Sequence, residues 1–138
     1  MSDSRPTDCP FCRLPLERVI DSNTHALVVA DAFPVALGHT LVVLRRHVAS
    51  FFEATNEEIA AVYELLQRAK NCLDRDLLPA GYNIGVNVGA EAGQTVEHVH
   101  VHLIPRYPGD TPSPIGGVRN VISGKGAYST FHPKVYDG

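Results

Sequence analysis

Gln94-Thr95-Val96-Glu97-His98-Val99-His100-Val101-His102-Leu103-Ile104 is the stretch on which the reading of this chain turns. Histidine and an aliphatic residue alternate strictly, the period of a β-strand, so the pattern predicts a strand over about Val96–Pro105. Residues two apart on a strand share a face at roughly 6–7 Å. His98, His100 and His102 are therefore expected on one side, and Val99, Val101 and Leu103 on the other, in a core. Imidazoles on a rigid strand suit phosphate chemistry, because the neutral ring is a nitrogen nucleophile and the protonated ring a proton donor near pH 7.

Outward from this stretch, Gly89–Thr95 (GAEAGQT) reads as a connection to an earlier strand at Tyr82–Val88. Before it lies the clearest helix, from about 55 to 78. Thr55 and Glu58 have capping-box spacing, and Ile59, Val62, Leu66, Ala69, Leu73 and Leu77 follow at helical intervals, bounded by Pro79 and Gly81. Two short strands are expected between Arg18 and Asp31, the second at His25–Asp31, with Ser22-Asn23-Thr24 as the turn. Ala32–Gly38 reads as a loop and Thr40–Leu44 (TLVVL) as a buried strand. Strands on both sides of one helix, with short connections, predict an α+β domain with an antiparallel sheet. Residues 1–8 read as a mobile terminus, 9–106 as the domain, and 107–138 as a tail whose Pro- and Gly-rich start, YPGDTPSPIGG, predicts irregular structure.

A chain of 138 residues, 44% hydrophobic and 20% charged, suits a single soluble domain. A net charge of −3 argues against bulk electrostatic binding of nucleic acid. No apolar run approaches the ~20 residues of a membrane span. The opening MSDSRPTDCP has no apolar stretch of a signal peptide, so a cytoplasmic location is expected. Arg45 and Arg46, at the end of TLVVL, read either as solvated charge or as a lure for polyphosphate. Cys9-Pro10-Phe11-Cys12 has the spacing of half a tetrahedral zinc site.

His98-Val99-His100-Val101-His102-Leu103-Ile104 matches the motif of the histidine triad family. Glu91-Ala92-Gly93-Gln94-Thr95-Val96 upstream resembles its dinucleoside-polyphosphate hydrolase branch, and Gly38-His39-Thr40-Leu41-Val42-Val43 resembles its second block. The resemblance runs from about Cys9 to Arg106. A third histidine at 102, where the hexose-1-phosphate uridylyltransferase branch has Gln, favours a hydrolase-type member. Ala92-Gly93-Gln94-Thr95 leans away from the purine nucleoside phosphoramidate branch.

The resemblance implies a sheet with one main helix and a short second helix, joined to a second copy's sheet in a homodimer. It implies that His100 attacks the α-phosphorus of a nucleotide to form a nucleotidyl-histidine, with the backbone carbonyl near His98 holding its other nitrogen. His102 and Gln94 would contact phosphate or the leaving group, with Thr95 on the same phosphate. His39 would support the triad. Asp31 and Asn87 would hold ribose and phosphate, and Phe11, Leu14 and Ile20 would line an apolar purine pocket. No Mg²⁺ requirement is expected, because imidazolium and N–H donors can stabilise phosphate charge. Zinc-binding bacterial relatives imply that Cys9 and Cys12 share a structural zinc with His47 and His98. Two other readings stay open: hydrolysis of purine nucleoside phosphoramidates or aminoacyl-nucleotides, and a nucleotide- or partner-binding module with residual activity.

Overall fold

The computed structural model describes Pro6 and residues 8–127. Among the described residues, five strands form one sheet: β1 (Val19–Ser22), β2 (Ala26–Ala30), β3 (Thr40–Leu44), β4 (Gly81–Gly85) and β5 (His100–Arg106). Their spatial order is β1-β2-β3-β5-β4, and every neighbouring pair is antiparallel. The helix α1 (Asn56–Leu77) lies between β3 and β4 in sequence and packs over β2, β3 and β5. Among the described residues, the other helical pieces are 3-10 turns, at Leu16–Arg18, Phe51–Glu53, Ala90–Ala92 and Gly117–Val121. The short second helix expected from the resemblance is therefore a set of single turns. No helix is long and apolar enough to cross a membrane among the described residues.

Period-two alternation gives the sheet two apolar faces. Val28, Val42, Leu44, Val101 and Leu103 meet Val62, Leu65 and Leu66 of α1 in the main core. Val29, Leu41 and Val43 point the other way, where Phe11, Leu14 and Val19 pack on them. β3 is buried at every position because it is central and covered on both faces. Beyond Arg106 the described residues belong to a separate unit, which carries the turn at Gly117–Val121. Most of 1–8 and the end of the tail lie outside the described residues.

Helix α1 starts where its capping box dictates. The Thr55 hydroxyl accepts from the Glu58 amide at 3.1 Å, and Glu58 accepts from the Thr55 amide at 2.9 Å. Leu78 ends the helix in the left-handed conformation, just before Pro79. Gly38 turns the chain into β3 with φ +87°, and a Cβ there would sit 2.8 Å from the side chains of Leu73 and Leu77. The positive φ is what requires glycine; the Leu73 and Leu77 methyl ends would only have to shift aside for a Cβ.

Glu58 has a second task. Arg46 donates to its two oxygens at 2.8 and 3.0 Å and to the Glu53 carbonyl at 3.1 Å, tying the end of β3 to the start of α1. Arg45 donates to the Asn23 carbonyl. Both arginines thus serve as braces between segments. The Arg46 hydrogen bond pulls the Glu58 carboxyl down to about 2, against the opposing effect of burial and with help from the Thr55 amide. A depressed carboxyl stabilises the fold above its ordinary value of 4.5, and that stability is lost as pH falls toward 2. Glu58→Gln is expected to cost about 2 kcal/mol at pH 7. In urea unfolding, the gap between wild type and variant should narrow steadily between pH 4.5 and pH 3; a pH-independent gap would refute the ion-pair account.

The strand boundaries differ from the sequence reading in an informative way. The expected strand Val96–Pro105 begins only at His100, and the expected Tyr82–Val88 stops at Gly85. The β3–β5 ladder ends because the Leu44 carbonyl accepts from the His98 ring Nε2, at 2.6 Å. The His98 amide turns back to the Val96 carbonyl, while the Val99 amide reaches Val48. Val99 still joins the main core with Val101 and Leu103. His98, however, leaves the row of three: it lies ahead of the strand and its residue is fully buried.

Candidate active site and metal centre

His100 and His102 project from β5 onto the face opposite α1, opposite Val43 and Leu41 of β3. Their rings stand 5.3 Å apart. The His100 Nδ1 bonds the His98 carbonyl at 2.7 Å. A carbonyl can only accept, so Nδ1 carries the proton and Nε2 of the neutral ring keeps its lone pair. On the other side, the Val35 amide donates to the His39 Nδ1 at 3.1 Å. An amide can only donate, so the His39 proton sits on Nε2, which is 2.9 Å from the His102 Nδ1. The His102 Nδ1 thus accepts, and its own proton is on Nε2. Two backbone groups set three tautomers: a lone pair on His100 and an N–H on His102, on adjacent outward positions.

Asp31 lies at the edge of this pair, its Oδ2 3.3 Å from the His39 Nε2 and 3.9 Å from the His102 Nδ1. Burial pushes His39 below the ordinary imidazole value, with Asp31 opposing. Burial also lowers His102, reinforced by His100 and His39 and again opposed by Asp31. Both shifts favour neutral rings at pH 7, as the tautomer chain requires. The Phe33 amide donates to the Asp31 Oδ1 at 2.8 Å, so the loop before β3 is pinned to the site at Asp31 and again at His39.

A second set of donors meets behind His98. Nδ1 of His98 is 3.4 Å from the Cys9 Sγ, 3.5 Å from the Cys12 Sγ and 3.1 Å from the His47 Nδ1, and Cys12 Sγ lies 3.2 Å from His47 Nδ1. A tetrahedral Zn²⁺ at about 2.3 Å from sulfur and about 2.0–2.1 Å from nitrogen needs edges of about 3.3–3.8 Å. The two Cys–His98 separations fall in that range, and the two to His47, at 3.1 and 3.2 Å, are slightly shorter. The chemistry of the set also fits. With Nε2–H committed to the Leu44 carbonyl, the His98 Nδ1 turns a lone pair toward two thiols and another imidazole nitrogen. Four electron-rich donors facing one point are satisfied by a cation. These residues allow zinc binding, and a carbonyl on the imidazole's far nitrogen is the usual outer partner of a metal-bound histidine.

The residues expected at the site separate into groups. His100, His102, His39 and Asp31 come together, with Phe11 beside them and Leu14 on the same sheet face. Ile20 does not join them. A bulge between Val19 and Asp21 turns Ile20, 64% exposed, toward a groove lined by Arg68, Cys72 and Asp76 of α1. Val19 takes the apolar position on the histidine face instead, a switch that strict alternation from a misplaced register could not reveal. Gln94 is committed to backbone groups: its amide nitrogen donates to the Ala49 carbonyl at 2.7 Å, tying the loop to the segment after β3, and to the Val96 carbonyl at 3.1 Å, and its oxygen accepts from Gly89. Gln94 and Thr95 line a cleft of about 380 Å³ with Cys9, His47 and Glu97, on the side of the thiol cluster. Asn87 sits under the Gly93 turn. The Val35 amide and Leu44 carbonyl had no signal in the sequence, because backbone groups carry no residue-specific mark.

An antiparallel sheet covered by one helix, with histidines of a His-φ-His-φ-His motif on and beside its last strand, defines a histidine triad protein. The HIT domain family profile matches residues 16–109, and the chain belongs to that family. An uncharacterized 16.1 kDa HIT-like protein of Mycoplasma pneumoniae is 40% identical over 104 residues, covering 72% of each chain. Among solved structures, a Zn-bound histidine triad family protein from Mycobacterium smegmatis superposes with TM-score 0.67 and 32% identity, over 77% of this chain and 80% of that one. Plasmodium falciparum diadenosine triphosphate hydrolase, in complex with cyclomarin A, gives TM-score 0.67 and 26% identity, over 72% of this chain and 68% of that one.

Proposed function

We propose that this protein cleaves dinucleoside polyphosphates at the α-phosphate, through a nucleotidyl intermediate on His100. The observation that carries the reading is the hydrogen bond from His100 Nδ1 to the His98 carbonyl, which leaves Nε2 as the nucleophile on the open face of β5. The Nε2 lone pair forms the P–N bond while the α-phosphoanhydride P–O bond breaks and its electron pair leaves with the departing nucleotide. His102, with its proton on Nε2, supports the leaving oxygen. The positive charge that develops on the His100 ring is stabilised through Nδ1–H and the His98 carbonyl. Water then attacks phosphorus, the P–N electron pair returns to Nε2, and the water proton passes to solvent.

His39 acts through His102, fixing its tautomer. We assign Asp31 and Asn87 to ribose and phosphate, with Thr95 at the phosphate edge and Gln94 bracing the 89–96 loop through its backbone bonds. Phe11 and Leu14 form the apolar wall for the base, with Val19 in place of Ile20. Similarity to a diadenosine triphosphate hydrolase supports the substrate class. Zinc, held by Cys9, Cys12, His47 and His98, would cross-link the amino-terminal loop to the chain around His98 and serve as structure. Homodimerisation belongs to the same proposal, with the exposed edge of β4 as the seam.

Product analysis tests the reading. Wild-type protein is expected to release AMP from diadenosine tri- or tetraphosphate, detected by chromatography. AMP from adenosine phosphoramidate alone would move the protein to the phosphoramidate branch. Binding without turnover of any of these substrates would overturn the enzyme reading.

A further inference from the structure

Two sites that look separate share one side chain. Phe11 is the residue between Pro10 and Cys12, inside the loop whose cysteines face His47 and His98. Its ring lies 4.8 Å from the His100 ring, tilted by 52°, and edge-on to His98 at 5.9 Å. Cys9 and Cys12, on either side of it, are 7% and 5% exposed. A loop with both ends anchored by buried sulfur leaves its middle side chain few places to go.

His100 is held at one point by its Nδ1–H bond, and a single hydrogen bond leaves the ring free to rock about it. A flat apolar neighbour against the ring removes that freedom at the cost of no polar contact. The donor cluster therefore reaches His100 by two paths. One is the carbonyl of His98, whose ring belongs to the cluster. The other is the Phe11 ring, carried by the cysteine loop.

We propose that Phe11 is a positioning residue that transmits the state of the Cys9–Cys12–His47–His98 cluster to the His100 ring. Metal capture by the cluster then orders the nucleophile, and loosening of the cysteine loop releases it. The inference rests on His100 as nucleophile for its kinetic readout only; the orientation of the His100 ring can be read without any turnover.

Long-range nitrogen–proton NMR spectra of the imidazoles would be recorded for wild type, Phe11→Ala and Phe11→Leu, each with zinc and after chelation. Zinc-loaded wild type is expected to show His100 in one tautomer, protonated at Nδ1, and chelation should shift and broaden that signal. Phe11→Ala should bind the same amount of zinc, yet show the broadened His100 signal throughout. Phe11→Leu, which keeps bulk but loses the flat face, should fall between them, and it carries the test if the alanine variant does not fold. In turnover, kcat of Phe11→Ala should drop about tenfold, in addition to any rise in KM from the lost wall of the base pocket. A zinc-dependent His100 signal preserved in the variants would overturn the proposal. So would a rise in KM alone, which would make Phe11 only a wall for the base. If no nucleotide is turned over, the proposed reaction fails while the spectra still decide this inference.

Discussion

His100→Ala is expected to abolish turnover, lowering the rate of AMP release by about 10⁴-fold or more, while nucleotide binding changes little. The size follows from the absence of a substitute. His102 is the neighbouring imidazole, but its Nδ1 accepts from His39 and its Nε2 carries the proton, so it has no lone pair to offer. His98 is buried, with Nε2 on the Leu44 carbonyl and Nδ1 in the thiol cluster. Removing the His100 ring leaves Asp31 and the apolar wall in place, so equilibrium binding of AMP should persist. Rapid-quench measurement on a dinucleotide would supply the rate, and calorimetry the affinity. Residual turnover within about tenfold of wild type would exclude a covalent role for His100.

Loss of the metal cluster should be the largest change in stability. Cys12→Ser is expected to leave protein that holds far less zinc than wild type, which should carry about one ion per chain. An ion held there would link the amino-terminal loop to residues about 35 and 86 positions away in sequence, so unfolding would have to break it. At free zinc about a thousandfold above its dissociation constant, linkage contributes about 4 kcal/mol. For a chain of 138 residues that corresponds to a fall of about 10–20 °C in Tm. Chelation of wild type should reproduce the fall, and added zinc should restore it in wild type but not in Cys12→Ser. Purified wild type without zinc, melting at one temperature with or without chelator, would remove the metal from this account.

The sequence stated local matters well. Thr55 and Glu58 announced the start of α1, because a capping box is made by residues three apart and needs nothing distant. Thr40–Leu44 announced a central strand, because five apolar or β-branched residues in a row suit burial on two faces. The His-φ-His-φ-His motif with the Gly38–Val43 block was enough to place the chain in its family. Failures came where a residue's duty depends on a distant partner. Arg45 and Arg46 stay exposed, as solvated strand-end charge should, but they also act as braces because Asn23, Glu53 and Glu58 arrive beside them. Ile20 left the histidine face because one bulge shifted the register of β1. His98 left the strand because the Leu44 carbonyl, 54 positions away, captured its ring.

Composition and spacing by themselves determined which side chains could do the chemistry: three alternating histidines, a fourth at 39, and a cysteine pair two residues apart. The tertiary structure alone decided what each nitrogen does. An imidazole has two nitrogens with opposite roles, and the role of each is set by whether its neighbour donates or accepts. Those neighbours are the Val35 amide, the Leu44 carbonyl and the His98 carbonyl, backbone groups that every sequence contains and only the fold aims.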